Sequence, residues 1–204
     1  MSGKILVGCE ESQVITQRFR HRGFDAMSCD ILPTRGDVRY HFQRDVIEVI
    51  PMRRWDLIIL HPDCTAIALC GNSTYGRGMP KHHHRLVAID WTVALWELAK
   101  AYSDKVVLEN PMSVIFKHLS GGKTQYIQPY QFGHMEQKKT GLCMYGVEPL
   151  VPTDDVYDAM MLLPKAERER IHYMAPSPTR KRDRSVTFSG IADALVNQIG
   201  DTLL

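Results

Sequence analysis

The sequence predicts an α/β protein built on a doubly wound, mostly parallel β-sheet. Three apolar runs of strand length, KILVGC at 4–9, DLIIL at 56–60 and VVLEN at 106–110, have the composition of strands buried on both faces. Segments with the apolar spacing of helices lie between these runs, and this alternation is typical of helices packed on both faces of a parallel sheet. The chain of 204 residues has the length of a single domain with a full core.

The other elements of the first half follow from local capping and stop signals. Ser12 is a helix-capping residue type and Gly23 is a helix stop, so SQVITQRFRHRG predicts a helix between them. FDAMSCDI at 24–31 predicts a second strand with Asp30 near its end. VIEVIPMRRW at 46–55 predicts a short helix and a turn that lead into the strand DLIIL.

The second half opens with the clearest helix of the sequence, LVAIDWTVALWELAKAY at 86–102. The strand at 106–110 is expected to end at Pro111, because proline removes a backbone hydrogen-bond donor. Residues 126–152 mix aromatic residues with Gly, Pro and Lys, and they predict strands or hairpins that cross the sheet edge.

The last quarter of the chain predicts short helices. TDDVYDAMM opens with a capping Asp, a second helix has Pro164 at its first position, and IADALVNQIG forms a C-terminal helix stopped by Gly200. We therefore expect one domain over 1–204. Within it, 112–185 is expected to be an irregular substrate-side insertion and 186–204 a segment that returns to the core.

Composition is that of an ordinary globular protein, with 44% hydrophobic and 24% charged residues. No apolar run approaches the ~20 residues of a membrane span, and the start MSGKILVGCEES does not have the pattern of a signal peptide. Five cysteines without CxxC pairs favour a reducing compartment over a disulfide framework. These features predict a cytoplasmic protein.

Charge is uneven along the chain, although the net charge is only +2. Two basic clusters stand out, RGMPKHHHR at 77–85 and TRKRDRS at 179–185, and each is either a phosphate-binding face or a solvated loop. The consecutive histidines at 82–84 lack the HxxxH or CxxC spacing of metal sites. We therefore expect an exposed turn there and no metal centre.

Polar residues follow each predicted strand. Ligands of open parallel sheets bind beyond the carboxyl ends of the strands, so these residues form the candidate site. Caps and turns also require polar residues in such loops, so a purely structural explanation stays open. The four strand ends are Gly8-Cys9-Glu10, Asp30-Ile31, His61-Pro62-Asp63-Cys64 and Glu109-Asn110-Pro111.

The first two strand ends favour a nucleoside cofactor with a cationic tail. Asp30 stands where nucleotide-binding α/β folds place an acid that accepts hydrogen bonds from ribose hydroxyls, although a turn cap is the simpler explanation of this residue alone. The loop GCEES has one glycine and no GxGxxG pattern, and Glu10 and Glu11 would repel a pyrophosphate. S-adenosylmethionine is a cofactor of the required chemistry.

Cys64 and Glu109 are the candidate catalytic residues. A thiolate that adds to C6 of cytosine makes C5 nucleophilic, and a carboxylic acid at a neighbouring strand end can then neutralise the ring nitrogen N3. This arrangement requires the strands before Cys64 and Glu109 to be adjacent. The alternative is that Cys64 is a small packing residue, as most free cysteines are.

Several motifs together resemble a known family over nearly the whole chain. GCEESQ, CDILP, WDLIILHPDCT, GNSTYG, LENP, QPYQFGH, KKTGL and TFSGIADA resemble small phage-encoded DNA cytosine methyltransferase-like proteins, distant minimal relatives of the cytosine-C5 DNA methyltransferases. The resemblance implies a Rossmann-like class I methyltransferase fold, S-adenosylmethionine as cofactor, DNA or a deoxycytidine nucleotide as partner, and the host cytoplasm as location.

The resemblance also implies roles for individual residues. Cys64 would match the Pro-Cys nucleophile and Glu109 the glutamate of the Glu-Asn-Val motif. The cofactor-binding residues would be Gly8, Cys9, Glu10, Glu11, Ser12, Asp30, Ile31, Asp45, Val46, His61 and Pro62. The substrate-binding residues would be Asn72, Ser73, Asn110, Lys138, Lys139, Thr140, Arg180 and Arg182.

The chain departs from the C5 methyltransferase pattern at several points. Asp63 stands between Pro62 and Cys64, the first loop lacks Phe-x-Gly-x-Gly, and QKKTG is at most a basic substitute for Gln-x-Arg-x-Arg. There is no room for a large target-recognition domain. Three alternatives therefore stay open: an exocyclic amino methyltransferase, a methyltransferase of free nucleotides, and a nucleotide- or nucleic-acid-binding protein with a degenerate catalytic site.

Overall fold

A seven-stranded sheet forms the centre of the computed structural model, which describes residues 3–203. The strand order is β3-β2-β1-β4-β5-β7-β6; β1 to β5 are parallel, and β7 runs antiparallel to both β5 and β6. This architecture confirms the predicted doubly wound, mostly parallel sheet. The strands are β1 (Lys4–Gly8), β2 (Asp25–Asp30), β3 (His41–Gln43), β4 (Leu57–Leu60), β5 (Val106–Pro111), β6 (Lys123–Ile127) and β7 (Thr140–Tyr145).

The central strands are apolar on both sides because helices cover both faces of the sheet. Every residue of β4 is fully buried. Gly8 pairs with Cys29 of β2 on one side and with Leu60 of β4 on the other, and Leu60 pairs with Leu108 of β5. This register brings the carboxyl ends of β2, β1, β4 and β5 to one edge.

Two hydrophobic cores lie on opposite faces of the sheet. On one face the first helix and the C-terminal helices pack through Ile15, Phe19 and Leu195. On the other face the long central helix packs through Leu95 and Trp96. The helices are α1 (Val14–His21), α2 (Val46–Val49), α3 (Asn72–Tyr75), α4 (His82–Tyr102), α5 (Tyr157–Met161), α6 (Lys165–Arg168), α7 (Arg170–Tyr173), α8 (Arg180–Ser185) and α9 (Ser189–Ala194).

The start of α1 differs from the sequence prediction. Ser12 was the expected cap, but the helix begins at Val14, and Gln13 occupies the cap position with a left-handed backbone at φ 57°. The Glu10 carboxylate instead accepts the backbone N–H groups of Ile15 at 2.6 Å and of Thr16 at 3.3 Å. A carboxylate from the preceding strand end thus satisfies the free donors of the first turn.

The start of α4 is a second correction. The expected exposed turn at 82–84 is the first turn of this helix, which therefore begins four residues before the predicted 86. Backbone N–H groups of His82 and His84 already donate to Met79 and Lys81, so the turn is helical before the apolar spacing begins. Within residues 3–203, no group of three His, Cys, Asp or Glu side chains is placed to hold a metal ion.

The region 112–185 is more regular than predicted, because it contributes β6 and β7 to the central sheet. These strands form the hairpin expected at the sheet edge, and Pro111 lies inside β5 opposite Thr140 instead of ending the strand before it. Proline is tolerated at the last position of a strand, where its missing N–H breaks no further ladder bond.

The C-terminal segment also departs from the prediction in detail. α9 continues through the π-helical turn Leu195–Ile199, and Gly200 keeps helical dihedrals, so it does not stop the helix. Pro164 stands at the cap position of α6, one place before its first residue. In the described part of the chain, helices with the length and hydropathy of a membrane span are absent.

Candidate functional site

Four polar strand ends meet at one edge because β2, β1, β4 and β5 are neighbours. Asp30 ends β2, Glu10 follows β1, His61 follows β4, and Glu109 lies near the end of β5. The condition that the sequence placed on Cys64 and Glu109 is met, since β4 and β5 are adjacent and parallel. The edge is therefore the candidate site.

The two glutamates of the first loop are held by protein groups. Besides the two backbone donors of α1, the buried Glu10 carboxylate accepts the Thr16 hydroxyl at 2.6 Å, and burial raises its pKa. Glu11 accepts two hydrogen bonds from Arg35, at 2.8 and 2.6 Å, and one from Arg182 at 2.9 Å. Burial alone would raise the pKa of Glu11, but the two guanidinium groups outweigh it and lower that pKa.

The loop that carries the two glutamates is closely packed where it leaves β1. A Cβ added to Gly8 would lie 2.6 Å from Cγ2 of Val46 in α2 and 2.9 Å from Cδ2 of Leu60 in β4, so a larger residue would have to displace these side chains. Cys9 follows with a left-handed backbone at φ 59°, and burial raises the pKa of its thiol. Ser12 is half-buried, and its hydroxyl lies 3.5 Å from the Val14 N–H.

The end of β2 offers groups that fit a nucleoside. Oδ1 of Asp30 accepts the Leu32 N–H at 2.9 Å. Burial raises the pKa of Asp30. The next side chain, Ile31, is 71% exposed, which leaves an apolar surface beside the carboxylate. Asp45 caps α2 by accepting the Ile47 N–H at 3.1 Å.

His61 and Glu109 form a pair across the ends of β4 and β5. Nδ1 of His61 lies 2.7 Å from Oε2 of Glu109, and the two side chains are 12% and 13% exposed. Burial alone would raise the pKa of Glu109, but the hydrogen bond and charge of His61 lower it. Glu109 is thus bound to histidine, a contact that the sequence prediction did not include.

The loop that carries Cys64 is fastened by three buried side chains. Asn110 donates to the Pro62 carbonyl at 3.1 Å, and Ser113 donates to the Ile67 carbonyl at 2.9 Å. Arg85, only 5% exposed, binds the same loop. Its guanidinium donates to the carbonyls of Ala66 and Ala68 and to the side chain of Asn72, at 2.7, 3.1 and 2.7 Å.

Cys64 itself is half-buried at the start of this loop, and its carbonyl accepts the N–H groups of Ile67 and Ala68. Burial raises the pKa of the Cys64 thiol, and the charges of Asp63 and Glu109 raise it further, whereas the charge of Lys138 lowers it. The thiol is therefore protonated at neutral pH in the ligand-free protein, and nucleophilic attack requires its proton to be removed.

The basic helix α8 lies over the strand ends. Arg182 pairs with Glu11, and Lys181 pairs with Asp63 at 3.2 Å. Lys138 donates to the Arg184 carbonyl at 2.9 Å, which joins the segment before β7 to this helix. Arg182 was expected to bind the substrate, whereas in the structure it contacts an acid of the site, as does Lys181 beside it.

The remaining residues assigned to the substrate are spread more widely. Lys139 lies over the ring of Tyr126 at 5.0 Å, and Thr140 is buried with its hydroxyl on the Lys138 carbonyl. Ser73 is exposed on α3.

A groove of about 610 Å³ runs beside the Cys64 loop, between this loop and α4. Its wall includes Trp91, which is 37% exposed, and the exposed Lys81. Aromatic rings and cations are groups that bind bases and phosphates. The lining residues are Asp63, Thr65, Ala66, Tyr75, Lys81, His84, Val87, Ala88, Trp91 and Thr92.

Sequence reasoning did not find Arg85, Arg35 or Gln13. Arg85 belongs to a cluster that the sequence analysis considered only as a phosphate-binding face or a solvated loop, and only its burial reveals that it fastens the Cys64 loop. Gln13, 1% exposed, binds the hydroxyl of Ser28 at 3.0 Å and two loop carbonyls. The sequence carries no signal for such contacts, since they join segments that are distant along the chain.

Comparison with known proteins gives similarity of fold. The sequence matches no protein-family model and no curated protein. The solved structure of a methyltransferase of Entamoeba histolytica, EhMeth, superposes with a TM-score of 0.50 and 11% identity over 76% of this chain and 58% of that chain. The chain thus shares the Rossmann-like fold of this methyltransferase.

Two further solved structures match with lower scores. A protein assigned as a DNA modification methyltransferase encoded within a prophage, from E. coli, has a TM-score of 0.48 and 15% identity over 80% of this chain and 56% of that chain. The S. pombe Dnmt2 methyltransferase has a TM-score of 0.45 and 11% identity over 98% of this chain and 66% of that chain. This chain spans less than two thirds of each of the three structures.

Proposed function

We propose that the protein is an S-adenosylmethionine-dependent methyltransferase that acts on C5 of cytosine in DNA. The observation that carries the proposal is the placement of Cys64 after β4 and of Glu109 near the end of the adjacent parallel strand β5, at the edge that also carries Asp30 and Ile31. A thiol and a carboxyl group at this edge are the pair that cytosine-C5 chemistry requires. The shared fold of EhMeth supports methyl transfer as the reaction class.

The cofactor would lie at the ends of β1 and β2. The Asp30 carboxylate would accept hydrogen bonds from ribose hydroxyls, and the exposed Ile31 would cover the adenine ring. S-adenosylmethionine supplies an electrophilic methyl group there. Glu10 and Glu11 act indirectly in this arrangement, because α1 and two arginines already bind their carboxylates.

Cys64 and Glu109 would act on different atoms of the cytosine ring. Cys64 loses its proton to water and bonds to C6, which shifts electron density to C5 and N3. Glu109 would neutralise N3 as this charge develops. Asn110 and Arg85 keep the Cys64 loop in place through its carbonyl groups, so they position the sulfur without touching the base.

We propose DNA as the substrate because cations and a groove lie near the site. The basic helix α8 and Lys138 place cations near the strand ends, and the groove beside the Cys64 loop adds the exposed ring of Trp91. Such groups bind a polynucleotide through its phosphates and bases. Binding of DNA that weakens steeply with salt, without comparable binding of free deoxycytidine nucleotides, is the expected result.

The test combines product analysis with trapping. The protein is incubated with S-adenosylmethionine and with duplex DNA, single-stranded DNA or deoxycytidine nucleotides, and the nucleosides are analysed by mass spectrometry. We expect 5-methylcytosine from DNA, and a covalent protein–DNA adduct when 5-fluorocytosine replaces cytosine. Cys64→Ser should abolish both, whereas the matched control Cys70→Ser, at an exposed cysteine of the same loop, should retain both.

Calorimetry with the cofactor provides the second arm of the test. Asp30→Ala should weaken cofactor binding, and Cys64→Ser should leave it unchanged. Absence of binding at millimolar cofactor would contradict the methyltransferase proposal and favour a binding protein with a degenerate site.

Methylation of an exocyclic amino group is the second candidate, because Asp63 separates Pro62 from Cys64 and burial raises the pKa of the thiol. That reaction requires no covalent bond to the enzyme. It would give N4-methylcytosine or N6-methyladenine, no fluorocytosine adduct, and a Cys64→Ser variant that keeps part of its activity.

A further inference from the structure

The His61–Glu109 pair has one nitrogen without a partner. Nε2 of His61 is buried and makes no hydrogen bond to any group in residues 3–203, while Nδ1 contacts Glu109 at 2.7 Å. The backbone N–H of His61 donates to the Gly8 carbonyl at 3.0 Å, which holds the ring between the ends of β1 and β5. A buried ring nitrogen without a hydrogen bond lowers the stability of the fold. A purely structural role for His61 therefore does not explain why Nε2 has no partner in residues 3–203.

Three charged groups face this ring from the elements around it. Glu109 comes from β5, Glu10 from the loop after β1, and Lys138 from the segment before β7. Burial disfavours the imidazolium, but the hydrogen bond and charge of Glu109 and the charge of Glu10 outweigh burial and Lys138, and the pKa of His61 is raised. The pKa of Glu109 is lowered at the same time, so a proton shared by the pair favours His61 over the Glu109 carboxylate.

We infer that His61 is a positioning residue that stores the proton which Glu109 delivers to N3 of the target cytosine, an inference that rests on the proposed function. As the Cys64 sulfur bonds to C6, the electron pair of the C5–C6 double bond shifts through C4 to N3. The proton leaves Nδ1 of His61, is carried by the Glu109 carboxyl group and ends on N3.

The reverse transfer completes the cycle. After C5 has gained the methyl group, its proton leaves to water, the sulfur–C6 bond breaks and its electron pair returns to Cys64 as thiolate. The proton on N3 returns through Glu109 to His61. The pair thus gains and loses no proton over a full turnover, so no external acid has to reach this buried corner of the site.

His61→Asn tests the inference, because the Asn amide can donate a hydrogen bond from the Nδ1 position but cannot store a proton. We expect turnover to fall about 100-fold or more, which is the contribution of a proton-transfer group. The melting temperature should stay near the wild-type value. The wild-type turnover should also fall at high pH as His61 deprotonates, and His61→Asn should lose this limb. Unchanged turnover and pH profile would overturn the inference and leave His61 a structural hydrogen-bond donor.

A measurement without substrate separates this inference from the proposed function. Nitrogen-15 NMR of the ligand-free protein should show His61 titrating above the ordinary histidine range of about 6.5, and Glu109→Gln should bring that titration down. A ring that stays neutral from pH 5 to 9 would overturn the inference even if cytosine is methylated. A titrating pair in a protein that methylates no cytosine would instead refute the methyltransferase proposal and the cytosine step with it.

Discussion

At the scale of single residues, the carboxylates after the first strand bind partners that their sequence context does not predict. Glu10 and Glu11 are neighbours in the chain, yet Glu10 turns to the first turn of α1 and Glu11 to two arginines. The two groups differ in environment, since burial raises the pKa of Glu10 and the arginines lower the pKa of Glu11. Identical side chains in one loop thus acquire opposite shifts from their partners.

Glu11 should make stability depend on pH. Its pKa is lower in the folded chain than in the unfolded chain, so its contribution is present above the unfolded value and is lost as pH falls through the folded value. Glu11→Gln should lower the free energy of unfolding by about 1–3 kcal/mol at pH 7. Urea unfolding at several pH values should show this difference shrinking towards acid pH.

Glu148→Gln is the matched control, because Glu148 is exposed and forms no ion pair in the described part of the chain. We expect less than about 0.5 kcal/mol for this variant. A difference between wild type and Glu11→Gln that stays constant down to pH 3 would show that the ion pairs of Glu11 contribute nothing.

At the scale of elements, α8 is attached to the site by contacts of unequal strength. The Lys181–Asp63 pair is largely exposed, with side chains that are 74% and 60% accessible, and exposed pairs contribute little. The Arg182–Glu11 pair is more enclosed, at 38% and 9%, and Glu11 is shared with Arg35. Of these two ion pairs, Arg182–Glu11 should therefore contribute more to holding the helix at the site.

Limited digestion with trypsin should measure this attachment, because Lys and Arg residues of α8 are themselves the cleavage sites. Glu11→Gln should speed cleavage within α8 several-fold, and Asp63→Asn should have a smaller effect. Raising the salt concentration should speed cleavage of the wild-type protein by screening both pairs. Equal cleavage rates in all three proteins would show that α8 is held by other contacts.

At the scale of the whole molecule, the C-terminal helical segment and α1 pack against each other on one face of the sheet. Leu195 and Ile199, 1% and 2% exposed, share a core with Phe19 of α1. Arg18 and Arg22 add ion pairs to Asp193 and Asp201 across the same contact. Residues almost 180 positions apart in sequence therefore belong to one core.

Leu195→Ala should destabilise the protein by about 2–5 kcal/mol, because it leaves a cavity in a packed core. Val151→Ala, at a side chain that is 65% exposed, is the control and should cost less than about 0.5 kcal/mol. Urea unfolding followed by both far-UV and near-UV circular dichroism should give coincident transitions. Two separate transitions in the Leu195→Ala protein would show that the C-terminal helix folds apart from the sheet.

The sequence by itself determined the elements whose signals are local. The buried strands β1, β4 and β5 and the body of α4 were predicted within a few residues, because β-branched runs and helical spacing report burial directly. The rule that ligands bind at the carboxyl edge of a parallel sheet identified the strand ends as the candidate site, but the adjacency of β4 and β5 was a condition that the sequence left open and the structure met.

Only the tertiary structure decided which groups these residues contact. The pairing of His61 with Glu109, the capping of α1 by Glu10 and the fastening of the Cys64 loop by Arg85 each join segments that are brought together by strand order and packing. Hydrogen bonds and charges act over a few ångströms in space, whatever the separation along the chain. A linear pattern therefore identifies the polar residues of the site, and the folded chain determines their partners, their pKa shifts and their possible chemistry.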